Sequence, residues 1–226
     1  MPRNFLVSFH PLCSTVYGQR ALRDHPHLVP FSDGSCRREP DLQSRYPSIT
    51  ALCRAGLFAP RLQVSDRIFY MTVKGSYLRR AKGWALIAAL RVIEKLKCHE
   101  DALAWYAERN EPLPSNCIVP GSHHLPLEHT TGLPADGPGM QQAWNQNAAP
   151  PATIEHWDAH YIARAKLHRA FVITTPIVPT QLTTPPIFAK DQFKRVFDSG
   201  RVPGTQSYKV LSDREFDSLT VLLSGG

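Results

Sequence analysis

Two apolar segments close together in the chain, Asp66–Val73 (DRIFYMTV) and Trp84–Ile93 (WALIAALRVI), limit the possible folds more than any other feature. Their apolar, partly β-branched content is that of paired strands, and a small barrel is the natural product of such a pair. Ahead of them runs a polar cluster, Ser32–Asp41 (SDGSCRREPD), which sets Asp33, Glu39 and Asp41 beside Arg37 and Arg38. A turn does not need that density of charge, so the cluster is expected to line a site.

The rest of the chain alternates strands, helices and loops. Phe5–Phe9 reads as a first strand and Ala170–Thr175 as a later one. His99–Arg109 has helical character, with Glu100 and Asp101 in its first turn, where negative charge suits the helix dipole. Asn110 is its expected stop. Trp157–Ala165 has helical spacing, and Asp191–Phe197 and Asp213–Leu223 read as short helices capped by acids. Tyr46–Phe58 suggests a short helix or turn capped by Ser48. His10 to the polar cluster reads as an exposed stretch holding Tyr17, Arg20, Arg23, His25 and His27. Residues 112–151 are rich in Pro, Gly, His and Thr without periodicity, which marks a loop or flap insertion. Twenty prolines argue against an all-helical bundle. The expected architecture is α+β, one domain over residues 1–226.

The formal charge of +7 favours a polyanionic partner, because clustered cations gain affinity by releasing counterions from a phosphate backbone. Lys74, Arg79, Arg80 and Lys82, between the two central strands, are the expected contacts to a DNA backbone. The five scattered cysteines fit no disulfide framework. Cys98, His99, Cys117, His123, His124 and His129 share one region, but their spacing fits no zinc pattern, so no metal is expected. Walker, dinucleotide-binding, deaminase and serine-hydrolase motifs are missing, and no cofactor is expected. The amino-terminal residues lead into a short strand rather than a long apolar run, and the expected location is cytoplasmic, with no membrane partner.

Ser65-Asp66-Arg67-Ile68-Phe69-Tyr70, followed by Trp84–Val92 and an acidic helix start, resembles the EVE, ASCH and YTH group of PUA-like domains. There a Gly-Asp pair precedes a barrel strand, and here Ser65 stands where Gly is usual. Asp33-Gly34-Ser35 with Pro40, Pro47–Cys53 and Val64–Asp66 resemble nucleotide-modification-associated proteins encoded near phage and defence genes. A weaker likeness lies at Trp157-Asp158 and Tyr161–Arg164, which here follow the Asp66 strand instead of preceding it. The resemblance implies a PUA-like mixed β-barrel with flanking helices, whose pocket accepts one extruded, often modified, base.

The function expected on this footing is a DNA glycosylase, a hydrolase of N-glycosidic bonds. It would flip a modified base, such as glucosylated hydroxymethylcytosine, out of phage DNA and excise it in antiviral defence. The alternative is a non-catalytic reader of modified bases. Asp33 is the first candidate for chemistry, because a carboxylate can stabilise an oxocarbenium-like sugar or position a water. Glu39 and Asp41 are candidates for a second carboxylate. Set against this, Asp33-Gly34-Ser35 also reads as an Asx turn in which Asp33 bonds its own backbone. Ser35, Arg37 and Arg38 are expected at the substrate, Arg for its forked donors, with surface ion pairing as the rival role. Tyr70, Trp157 and Tyr161 are the aromatic candidates for stacking on the base, most aromatic residues of the chain being expected in the core.

Overall fold

The two apolar segments do pair. In the computed structural model, which describes residues 2–24, 26–33, 39–52, 56–77, 82–120, 162–193, 195–203 and 208–225, they form β3 (Arg67–Thr72) and β4 (Trp84–Leu96). They run antiparallel from Arg67↔Arg91 to Met71↔Leu86, with a bulge between Tyr70 and Met71. Neither strand alternates apolar with polar residues, because both faces are covered. Ile68, Tyr70, Ala88 and Leu90 enter one core, and Phe69, Met71, Leu86 and Ala89 enter another.

Around this pair the chain builds a mixed sheet in the order β2-β5-β4-β3-β1-β7. β1 (Asn4–Phe9) lies parallel to β3, and β7 (Lys209–Leu211) closes its other edge antiparallel. β4 outruns β3. Its second half, from Leu90 to Leu96, pairs across a bulge at Val92/Glu94 with β5 (Phe171–Pro176), which carries β2 (Ser48–Thr50). β6 (Ile187–Phe188) pairs with Trp84 and Ala85.

On one side of the sheet, α4 (Asp213–Ser224) sets Phe216, Leu219 and Leu223 against Leu6, Phe69 and Met71. On the same side, α2 (His99–Glu108) sets Ala102 and Tyr106 against Phe171 and Ile173. The other side is covered by loop residues, among them Phe31, Leu42, Phe58, Leu62 and Tyr77. Two further helical segments, α1 (Val16–Asp24) and α3 (162–167), lie outside the sheet. No helix among the described residues is long and apolar enough to cross a membrane.

Several expectations are revised. The ladder of strands does not close into a barrel among the described residues. Ser48 opens strand β2 instead of capping a helix, and its hydroxyl donates to Asn116 Oδ1 at 2.6 Å. The stretch expected to be exposed is so at Arg20, Arg23 and His27, but it also contains α1, where Gly18 lies so close to Leu12 that a Cβ would stand 1.8 Å from its carbonyl oxygen. Only a glycine permits that approach, and a search for apolar periodicity does not register it. Asp191–Phe197 forms a short 3₁₀ turn at Lys190–Phe193, buried through Phe193 and Phe197. α4 is capped by Ser212, not by an acid; Ser212 and Glu215 form a reciprocal capping box. Asn110 does end α2, with a left-handed φ of 56°. Residues 121–151 of the expected insertion and 157–161 of the expected helix lie outside the described residues, and 162–167 are helical.

Candidate functional site

Of the polar cluster, residues 32–33 and 39–41 are described, and two backbone bridges place them. Asp33 bridges to Pro11, two residues beyond β1, while Asp41 bridges to Ser48 at the start of β2. These bridges anchor the described ends of the cluster at different strands. Three buried carboxyl groups tie it down, at 7% exposure for Asp33 and 6% for both Glu39 and Asp41.

Their bonding separates their roles. Asp41 Oδ1 accepts from the Gln43 and Ser44 amides and the Ser44 hydroxyl, at 3.0–3.1 Å. Its Oδ2 accepts from the Ser115 amide and hydroxyl, both at 2.7 Å. Asp41 therefore ends one turn and fastens it to the 114–117 loop, using both oxygens. A buried carboxylate so filled with donors is scaffold.

Glu39 joins three elements. Its Oε1 accepts from the Thr50 amide at 2.8 Å, and its Oε2 meets the Thr50 hydroxyl at 2.6 Å and Asn116 Nδ2 at 3.2 Å. Burial pushes its pKa up to about 8, against the hydrogen bonds of Thr50 and Asn116, with a further push from the Asp33 charge. At neutral pH it is mostly a neutral acid. The Glu39 amide in turn donates to Asp33 Oδ2 at 2.9 Å, fixing Asp33 across six residues. Asp33 and Glu39 are thus neighbours, one held by the other's backbone, and together they form the centre of the candidate site.

The other expected site residues divide. Tyr70 is 2% exposed and packs edge-on against Phe9, 6.3 Å between ring centroids, inside the core. Lys74 and Lys82 are exposed at the neck of the β3–β4 connection, where Gly75 and Gly83 pair. Lys74 Nζ lies 5.0 Å from the Trp84 ring centroid. Ser35, Arg37, Arg38, Arg79, Arg80, Trp157 and Tyr161 lie outside the described residues.

Thr50, Asn116 and Ser115 complete the site and went unread. Their signal is only the polar character of residues inside apolar surroundings, and the pairing of Asp41 with Ser115 and of Glu39 with Asn116, across 74 and 77 residues, is invisible without the fold. Asp66 proves structural as well: its carboxylate accepts from the Arg3 and Gln63 amides, both at 2.9 Å, and pairs with the Arg3 guanidinium at 2.7 Å. Ser65 before it has a φ of 76°, the left-handed region that favours glycine. Burial raises the Cys13 thiol to about 11 and the Cys117 thiol to about 12, so neither is a ready nucleophile. Among the described residues no three His, Cys, Asp or Glu side chains are grouped to hold a metal ion. No family model, curated protein or solved structure matches the chain.

Proposed function

We propose that the chain is a DNA glycosylase that extrudes a modified base from phage DNA and hydrolyses its N-glycosidic bond. The observation that carries the reading is the Asp33–Glu39 pair: two buried carboxyl groups in hydrogen-bonded succession, the second held neutral near pH 7. A carboxylate held in place beside the reacting sugar supplies the electrostatics that breaking a glycosidic bond requires. Asp33 is the carboxylate that stabilises the cationic sugar as the bond to the base breaks, or orients the water that adds to the sugar carbon. Glu39 acts through Asp33, as a positioning residue. The exposed Lys74 and Lys82 and the net charge of +7 supply the attraction to the backbone.

The proposal includes a PUA-like barrel, for which the bridges of Asp33 to Pro11 and of Asp41 to Ser48 are one support. The left-handed Ser65 supports this, since it occupies the position where the PUA-like pattern has glycine.

One observation favours the second reading, a modified-base reader. Glu39 and Asp41 spend their oxygens on protein donors, which removes both from the chemistry. Mass analysis of free bases, together with counting of abasic sites, separates the two. The glycosylase releases base from DNA carrying glucosylated hydroxymethylcytosine, and Asp33→Asn binds that DNA while losing roughly 10²–10³ in rate, the usual effect of removing one transition-state contact. If the wild type discriminates modified from plain DNA but releases nothing, it is a reader.

A further inference from the structure

Ion pairs hold several arginines among the described residues: Arg3 with Asp66, Arg45 with Glu111, Arg67 with Asp213 and Asp217, Arg109 with Glu108, and Arg214 with Asp198. Arg164 on α3 differs. It is half-buried, and among the described residues its Nε, shielded from solvent, has no hydrogen-bond partner, while its Nη2 reaches the Leu52 carbonyl at 3.5 Å. No carboxylate among the described residues pairs with it. A guanidinium taken part-way out of water without an anion is costly, and its five donors in a fixed fork match the paired oxygens of a phosphate.

Its surroundings point to the same ligand. Residues 162–169 (IARAKLHR) hold Arg164, Lys166, His168 and Arg169 and no acid. Lys166 lies within electrostatic reach of Glu100, which offsets part of its charge, while Arg169 is exposed and held by a 3.1 Å bond from its Nε to the Lys166 carbonyl. Leu52, the residue Arg164 touches, donates its amide to the Thr50 hydroxyl at 3.2 Å, and that hydroxyl meets Glu39. The cation, without a carboxylate among the described residues, therefore stands at the end of the Glu39–Thr50–Leu52 chain, beside the candidate site.

We propose that Arg164, assisted by Arg169, grips a backbone phosphate of the DNA strand whose base enters the Asp33 site. This rests on the DNA-binding reading above. The anion is assigned to a polynucleotide rather than to a free phosphate because the basic segment extends along the chain past the single guanidinium.

The test is fluorescence anisotropy of a labelled oligonucleotide duplex carrying the modified base, over a series of salt concentrations. The proteins are the full-length wild type, Arg164→Met and Arg164→Lys, with thermal midpoints recorded with and without millimolar inorganic phosphate. Arg164→Met is expected to weaken binding about tenfold and to flatten the slope of log affinity against log salt by about 0.9, the share of one phosphate contact. Arg164→Lys is expected to keep the slope and lose part of the affinity. The midpoint of Arg164→Met should equal or exceed that of the wild type, since an unpaired charge has been removed. If the wild type binds DNA and Arg164→Met matches it in affinity and slope, the inference is wrong and the DNA-binding reading stands. A wild type that does not bind DNA at all overturns both. A lowered midpoint in Arg164→Met without a changed slope makes the side chain structural. Stabilisation by inorganic phosphate that needs Arg164, with DNA affinity unaltered by the mutation, assigns the site to a small anion instead.

Discussion

Replacing Glu39 with Gln should change how stability depends on pH. In the folded chain this carboxyl is buried against Thr50 and Asn116 with a pKa near 8, and in the unfolded chain it returns to about 4.5. The folded state thus binds the extra proton, so the stabilisation is fully present below pH 4.5 and is lost as pH rises to about 8. Across that window the slope for one proton is about −1.4 kcal/mol per pH unit, with a ceiling of about 5 kcal/mol for the whole interval. Between pH 5 and pH 8 the loss is about 4 kcal/mol, which in a chain of this size lowers the thermal midpoint by about 10 °C. The glutamine side chain carries no proton to lose and keeps a carbonyl oxygen for the Thr50 amide. The mutant should start lower at pH 5, because its amide meets the Asn116 amide donor to donor, and then hold its midpoint as pH rises. Differential scanning calorimetry of both proteins from pH 4 to pH 9 makes the comparison, and the difference between the two curves removes the contribution of the histidines. Parallel curves would mean that Glu39 is ionised in the folded protein and that the argument from burial is mistaken.

Asp41→Ala leaves five donors of Gln43, Ser44 and Ser115 without their acceptor and should cost roughly 2–4 kcal/mol in urea unfolding. Asp41→Asn should recover little of it, because an amide nitrogen would face the Ser115 amide. Lys74→Ala with Lys82→Ala should reduce the salt slope of DNA binding by about two contacts' worth, roughly 1.8, with the midpoint unchanged; an unaltered slope would remove this loop from the interface. Ser65→Gly should raise stability by a few tenths to about 1 kcal/mol, since glycine accepts the left-handed backbone that serine holds at φ 76°. Ser212→Ala should destabilise by about 1 kcal/mol through loss of the α4 cap, as read by chemical denaturation.

How far the sequence discloses this molecule follows from the range of its interactions. β1, β3, β4, β5, α2 and α4 are legible because each is long enough for apolar content or periodicity to register. β2 has three residues and β6 has two, too few for any pattern, and both exist because a longer neighbour offers them hydrogen bonds. α1 escaped because its helix rests on a backbone approach at Gly18. At the site, the density of charge in 32–41 draws attention to Asp33, Glu39 and Asp41, which the fold buries, yet nothing local distinguishes their hydrogen bonding. That depends on Thr50, Ser115 and Asn116, which lie 11 to 77 residues away and which only the fold brings near. Tyr70 shows the same limit in reverse: an aromatic with a polar tip reads as a stacking surface until packing against Phe9 places it inside.

The bond from the Glu39 amide to Asp33 has an evolutionary consequence. Its donor is a backbone N–H, which every residue except proline supplies, so the bond restricts the side chain at 33 and not the one at 39. Substitution at 39 is limited instead by Thr50 and Asn116, so residues 39, 50 and 116 can drift together while the Asp33 anchor persists. A library randomised at 39, 50 and 116 should therefore still contain folded proteins, whereas one randomised at 33 should return mostly side chains that carry an acceptor.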